Sequence, residues 1–388
     1  MKRMKYRKKL ILTAILSSVT ATLVTGSLFI YSSMRYQQNR DELYNYFEVK
    51  DYIEKYYYKD PDDESYMDNA LKGLVAGLGD DYAAYMTPEE YNSNMQSLQG
   101  SFAGIGVTIT ENEAGEFVVV EIVEDSPAAE ADIKVDDLIV KVSDVPTNNM
   151  DINQLVSLVK GEENTDVTIR IKRGEKEHDV TLTRKTIKDN TVEYTMLENN
   201  IAYIKIMSFK DVTTEQFETA FNTAFKDGAE KVIYDLRNNG GGTLTSCEAM
   251  LDPLLPEGAV AYAEFRDGES EVICRSDANE VDVPTVILVN ENSASASELF
   301  ASAMRDFEKA ELVGTKTFGK GIMQTTIGLS NKGGLRLTTA AYRTAKSECF
   351  HGVGLVPDYE VELPENTDIS KPDPEKDPQL KKALELLK

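Results

Sequence analysis

The chain has 388 residues, 41% hydrophobic and 28% charged, the proportions of a folded protein of two or three domains and not of a disordered one. Formal net charge is −24 even with six cations at the start (Lys2, Arg3, Lys5, Arg7, Lys8 and Lys9), and so acidic a body repels phosphate backbones, which argues against a nucleic-acid partner. Cys247, Cys274 and Cys349 are too few for a disulfide scaffold, and His178 and His351 are the only histidines, with no Cys/His cluster at zinc spacing, so neither a metal nor another cofactor is expected.

Residues 1–9 form a basic segment, and the stretch 10–34 contains no charged residue. About 20 apolar residues suffice to cross a bilayer as a helix. With the cations ahead of it, the positive-inside rule keeps the start in the cytoplasm and sends the remainder out. No clean Ala-x-Ala site follows, which favours a retained single-pass anchor over a cleaved signal peptide; either reading exports the body.

Residues 41–97 read as a helical segment. Apolar residues recur three and four apart from Asp41 to Tyr56, a second helix runs over Tyr66–Leu78, and Thr87-Pro88-Glu89-Glu90 is a helix start. From 98 to 186 the period shortens to alternating runs at Gly106–Thr110, Phe117–Ile122, Leu138–Val142, Val167–Lys172 and His178–Thr183, with one helix at Met150–Lys160. Between 187 and 363 strands and helices alternate, which predicts an α/β core: strands at Ile201–Met207, Lys231–Leu236 and Thr285–Val289, helices at Thr213–Lys226 and from Ser295 to Phe307. Residues 364–388 read as an acidic, proline-rich linker and a short terminal helix.

Three stretches carry chemistry. In Val286-Ile-Leu-Val-Asn-Glu-Asn-Ser-Ala-Ser-Ala-Ser-Glu-Leu299 an apolar strand ends and small residues open a helix, so a serine hydroxyl is exposed beside backbone N–H groups able to hold an oxyanion. Composition alone leaves open that Ser293, Ser295 and Ser297 only cap that helix. Thr317-Phe-Gly-Lys-Gly-Ile-Met-Gln324 sets Lys320 between two glycines on a tight loop. A buried lysine can be lowered into the range of a general base, whereas an exposed loop lysine cannot. Ile233-Tyr-Asp-Leu-Arg-Asn-Asn-Gly-Gly-Gly242 is a strand running into a glycine turn without the spacing of a phosphate loop.

Together, and with Gly352-Val-Gly-Leu-Val-Pro-Asp358, these stretches resemble the C-terminal processing peptidase (tail-specific protease) family in order and spacing over roughly 41–388. The resemblance implies an α/β core of the crotonase/Clp-protease-like spiral type over 187–363 with an inserted PDZ domain over 98–186. It implies Ser295 as nucleophile, Lys320 as base, Gln324 as the residue that orients Lys320, and the N–H groups of Gly241 and Ala296 as oxyanion hole. Within the PDZ resemblance, Phe102-Ala-Gly-Ile-Gly-Val107 matches the carboxylate-binding loop, so Gly104, Ile105, Gly106 and Val107 would hold a protein or peptide C-terminus. The implied activity is an extracytoplasmic serine endopeptidase that cuts proteins near their C-termini once the PDZ domain holds the chain end. The helical segment and the terminal helix are candidates for pairing two chains, as in family dimers. Thr344-Ala-Lys-Ser347 departs from the family's usual Thr-Pro-x-Gly turn.

Three rivals stand beside that reading. Cys349 and His351 lie two apart and could form a thiol dyad, although nucleophile and base usually come from separate elements. A membrane-tethered PDZ adaptor with an inactive core is the non-enzymatic alternative. A thioester-binding core is the third, disfavoured by export.

Overall fold

The computed structural model describes residues 40, 43–60, 65–148 and 150–388. The basic segment 1–9 and the anchor expected at 10–34 lie outside the described residues. Among the described residues, no helix is long and apolar enough to cross a membrane.

The chain divides into two compact units, Met1–Leu71 and Lys72–Lys388. In the first, residues 43–56 form a helix with a Lys50–Glu54 ion pair one turn apart and several exposed aromatic residues, among them Tyr44, Phe47 and Tyr56.

Within the second unit, strands Val107–Glu111, Phe117–Ile122, Leu138–Val142, Asp166–Arg173 and Lys176–Thr183 follow one another in a sheet in that order. Alternation builds it: Val167, Ile169 and Ile171 are buried while the residues between them are not. Helix Ile152–Val159, started by an Asp151/Gln154 capping box, buries Leu155 and Val159 against this sheet. Asp137 is buried there and accepts from the Arg173 guanidinium at 2.6 and 2.7 Å. A ribbon of Ser101–Gly104 on Lys185–Lys188 brings the two ends of this module together.

The remaining strands form two sheets. One is antiparallel at its first pair and parallel beyond, in the order Val192–Leu197, Ile201–Ile206, Lys231–Asp235, Thr285–Val289, Ala310–Gly314, Tyr359–Glu360. The central strand Thr285–Val289 is buried at every residue, as a parallel sheet covered on both faces requires. Its odd and even residues serve different layers. Ile287 and Val289 pack with helices Asp211–Lys226, Leu244–Leu251 and Ala296–Asp306, whereas Val286 and Leu288 pack with the terminal helix Pro378–Leu386. The other sheet is antiparallel and built on the long strand Gly334–Thr344, which pairs with Ile322–Gly328, Gly258–Phe265 and Ala84–Met86.

Two features differ from the sequence reading. The segment 41–97 is not wholly helical, because Ala84–Met86 joins the antiparallel sheet with Tyr85 and Met86 buried; three residues are too short to display a period. The acidic stretch before the terminal helix is more than a linker, because Asp377 is buried. It caps that helix and accepts from Arg237 Nη1 at 2.7 Å.

Arg237 is itself buried and also binds Asp235 through Nε and Nη2, while the Tyr203 hydroxyl donates to Asp235 at 2.5 Å. The two carboxylates hold the guanidinium firmly charged despite its burial. Removing the cation would leave two buried carboxylates uncompensated, so Arg237→Met is expected to cost about 3–5 kcal/mol. Urea unfolding of the two proteins measures it; a loss below 1 kcal/mol would contradict this account of the network.

Candidate active site

The central strand leads through residues 290–294 into helix Ala296–Asp306, with Ser295 at the junction. The hydroxyls of Ser293 and Ser297 are buried and spent on backbone carbonyls, donating at 2.8 Å to Leu236 O and Asn239 O respectively. Ser295, the middle serine, lines the cleft. Its backbone sits at φ 56°, ψ −115°, a strained conformation for a residue with a side chain, costing about 1–3 kcal/mol. The Tyr342 phenol, buried and pushed well up by that burial, lines the same cleft and donates to Lys320 O at 2.9 Å.

Glu298 ties this junction to the lysine loop. Its buried carboxylate accepts from Ser295 N at 2.9 Å and, across the cleft floor, from Thr317 Oγ1 at 2.6, Gly319 N at 2.7 and Lys320 N at 2.8 Å. The glycines flanking Lys320 are needed by close approach: a Cβ on Gly319 would lie 2.8 Å from Gly354 N, and one on Gly321 would lie 2.8 Å from His351 N. The segment 349–355 thus seals the loop from behind, with Leu355 N donating to Thr317 Oγ1 at 2.7 Å.

The Lys320 amine is half-buried, and its pKa is lowered first by that burial and then by the Arg336 charge, with Asp80 opposing. It rests 4.4 Å from the centre of the Tyr82 ring. Among the described residues it forms no hydrogen bond to Ser295 or to Gln324. Gln324 Nε2 faces Thr338 Oγ1 at 3.3 Å and Ile322 O at 3.5 Å instead. Ser295, Lys320 and Gln324 therefore line one cleft of about 670 Å³, walled on its apolar side by residues including Leu244, Ile273 and Leu299, without being hydrogen-bonded to one another in this state.

The glycine turn lies against the serine. A Cβ on Gly241 would fall 2.7 Å from Ala294 O and 2.8 Å from Ala296 N, so Gly241 and Ala296 are direct neighbours. The Gly241 N–H, however, donates to Asn239 Oδ1 at 2.9 Å. Among the described residues the N–H groups of Gly240, Gly242 and Ala296 carry no acceptor. In the β-rich module, Ile105 O accepts from Ala128 N and Gly106 O from Val123 N, which turns the loop's carbonyls inward. Gly106 has φ 79° and touches Ser126 so closely that a Cβ would overlap it at 2.2 Å. Val107 opens the edge strand of that sheet.

The model of peptidase family S41 matches residues 200–361, and a PDZ-domain model matches residues 118–173. The carboxy-terminal processing protease CtpA of Bacillus subtilis is 32% identical over 357 residues, covering 92% of this chain and 76% of that protein. A probable CtpA-like serine protease of Staphylococcus saprophyticus is 33% identical over 360 residues, covering 92% and 72%. The chain belongs to peptidase family S41. It is a serine peptidase of the C-terminal processing group, with an α/β core, a PDZ module and N-terminal helices. Among solved structures, the photosystem II D1 C-terminal processing protease superposes with a TM-score of 0.50 at 27% identity, covering 83% of this chain and 88% of that one. Membership of S41 sets aside the adaptor and thioester alternatives. Against the thiol dyad, the Cys349 thiol faces Gly321 O at 3.4 Å.

Sequence reasoning missed Glu298, Asn239, Tyr82 and Tyr342. Glu298 had a visible signal, since an acid at the third helical position after a serine is ordinarily an exposed cap partner, yet here it sits in a buried strand–helix layer. The other three act through contacts distant in the chain. In S41 terms, Glu298→Gln keeps the volume but turns acceptors into a donor facing N–H groups. It is expected to reduce kcat/KM by at least about tenfold, each lost charge-assisted bond contributing at this order. Peptide-cleavage kinetics beside unfolding curves would test this; full activity in a folded E298Q protein would show that the clamp does not matter.

Proposed function

We propose that this S41 peptidase is an extracytoplasmic endopeptidase with a Ser295–Lys320 dyad, which cleaves proteins near their C-termini after its PDZ module, residues 98–186, has taken up the chain end. The peptidase core is assigned to 187–363. The observation that carries the dyad is Glu298, whose one carboxylate binds the amide of Ser295 and the amide of Lys320. Nucleophile and base are thereby referenced to a common buried group, on elements that face one cleft. Export rests on the uncharged stretch 10–34 with its preceding cations.

In this mechanism neutral Lys320 takes the Ser295 proton as Oγ attacks the scissile carbonyl. The Ala296 N–H and an N–H of the glycine turn receive the oxyanion. For that turn Gly241 has first to release Asn239, or Gly242 serves in its place. Lys320 then passes the proton to the leaving amine, and water hydrolyses the acyl-enzyme by the reverse sequence. The amine must leave the Tyr82 ring to do this, with Gln324 orienting it afterwards. A bound chain end in the PDZ module drives that change.

Ser295→Ala and Lys320→Ala are each expected to abolish cleavage, read by mass spectrometry of the new C-termini of exported proteins; a lysine-free protein that still cuts would end the dyad reading. The base works only when uncharged, so kcat/KM should be lost as pH falls through the Lys320 pKa, which burial sets below that of an ordinary lysine. Asp80 raises that pKa and Arg336 lowers it. The acid limb of the profile should accordingly move to lower pH in Asp80→Asn and to higher pH in Arg336→Gln; shifts of the opposite sign would show that another group titrates. Tyr82→Leu removes the resting contact of the amine and should raise activity measured without a PDZ ligand, whereas an unchanged basal rate would mean that the ring restrains nothing.

A further inference from the structure

The cleft that holds Ser295 carries a charge pattern opposite to that of the chain. Net charge is −24, with 66 acidic residues. Among the described residues no Asp or Glu lines that cavity of about 670 Å³, whereas Lys210, Lys320 and Arg336 do. Lys210 is answered, because its amine pairs with Asp189 at 2.5 Å. Lys320 lies 4.4 Å from the centre of the Tyr82 ring and is assigned to the chemistry. Arg336 is left without either account.

Arg336 stands on strand Gly334–Thr344 opposite Thr326, two residues along from the pair Gln324–Thr338. Side chains two apart on a strand share a face, so Arg336 and Gln324 look into one cleft, roughly 7 Å apart along the strand. The guanidinium Nε donates to Tyr82 O at 3.0 Å, which fixes its plane. Among the described residues, Nη1 and Nη2 have no acceptor, and no carboxylate stands within ion-pair distance. Asn94, Ser97 and Arg336 also line a second opening, together with Glu89 and Glu90. Glu90 is spent on Lys72 at 2.7 Å and on Thr87 N at 2.9 Å, and Glu89 is exposed. A guanidinium held by one edge, with its fork free in a wall without acids, matches a carboxylate brought in by another molecule.

We propose that Arg336 is a specificity residue that binds the carboxylate of an aspartate or glutamate side chain within two or three residues of the scissile bond. This deepens the peptidase reading and rests on it. On that reading the chain end is occupied in the PDZ module, so a carboxylate that reaches the cleft belongs to a side chain. Nη1 and Nη2 donate to its two oxygens while Nε keeps Tyr82 O. An acidic body with a cation-lined cleft admits an acid at that one place and repels it elsewhere. The contact also reaches the base. Lys320 is faced by the charges of Arg336 and Asp80, by the Tyr82 ring and by the Tyr342 hydroxyl at its carbonyl. A carboxylate on Arg336 offsets the cation that disfavours a charged lysine.

The test uses the full-length chain and a pool of dodecapeptides rich in Ala, Val and Leu, made in pairs that differ by Glu or Gln at one internal position. Members of a pair compete in one reaction, so the ratio of their cleavage rates, read by mass spectrometry, is free of any effect of Arg336 on Lys320. At a position near the cut a preference of about tenfold for Glu is expected from one charge-assisted pair. Arg336→Gln should bring that ratio close to one, and Arg336→Glu should favour a Lys peptide over its Glu twin. In the unaltered chain the acid limb of kcat should lie at higher pH for the Glu peptide than for its Gln twin, while the kcat/KM limbs coincide. Amidated chain ends should leave the ratio unchanged. A ratio of one at every position, a preference that survives Arg336→Gln, or coinciding kcat limbs overturns the role of Arg336 and leaves the peptidase reading in place. A preference lost on amidation assigns Arg336 to the chain end and overturns the side-chain proposal. No cleavage of any peptide overturns both readings.

Discussion

A single buried carboxylate organises the candidate active site. Glu298 sits in the first turn of the serine helix, where the unsatisfied N–H groups and the helix dipole favour a negative charge. It accepts four hydrogen bonds, one from the serine's own amide and three from the lysine loop. Burying an anion is costly unless its hydrogen-bonding capacity is filled, and these donors fill it. The consequence is geometric. The strained serine junction and the glycine-framed lysine loop, distinct elements of the chain, cannot drift apart without stranding that charge.

A second buried ionic group does the same for the glycine turn. Arg237 leaves the strand Lys231–Asp235 and meets Asp235 on one side and Asp377, at the foot of the terminal helix, on the other. The turn that begins one residue later therefore inherits its position from the C-terminal segment. Asn239 continues the work, donating to Ile206 O and accepting from Gly241 N, so that the turn is pinned to the neighbouring strand while it lies against Ala296. Scaffold and glycine turn are in this sense one hydrogen-bonded layer. The amine of Lys320, by contrast, rests on Tyr82 and not on the serine. Tyr82 belongs to the loop leading into strand Ala84–Met86, and its carbonyl accepts from Arg336, a residue that also sets the charge around the amine. The surroundings of the Lys320 amine are thus built by Tyr82, ahead of the β-rich module, together with Arg336, after it.

Much of this was legible in the sequence. The apolar run at 285–289, the small residues after it and the glycines about Lys320 are local devices, each with a local physical reason, and they announced the serine junction, the lysine loop and the glycine turn. Alternation announced the β-rich module, because one buried face imposes a period of two on every strand. Ala84–Met86 escaped notice because a three-residue strand carries no period, and Asp377 because an acid among acids and prolines looks solvated until the residue facing it is known.

Residue types and their spacing along the chain thus determined the α/β class, the separate β-rich module and the small set of side chains that are candidates for acyl-transfer chemistry. Tertiary structure alone decided which carboxylate would be buried, which glycine amide would be spent on Asn239, and that the lysine would rest on an aromatic ring. The reason is that those outcomes depend on desolvation and on partners far away in the chain, such as Tyr82 for Lys320 and Asp377 for Arg237. Burial of a charge is a property of the folded neighbourhood, and no local pattern records it.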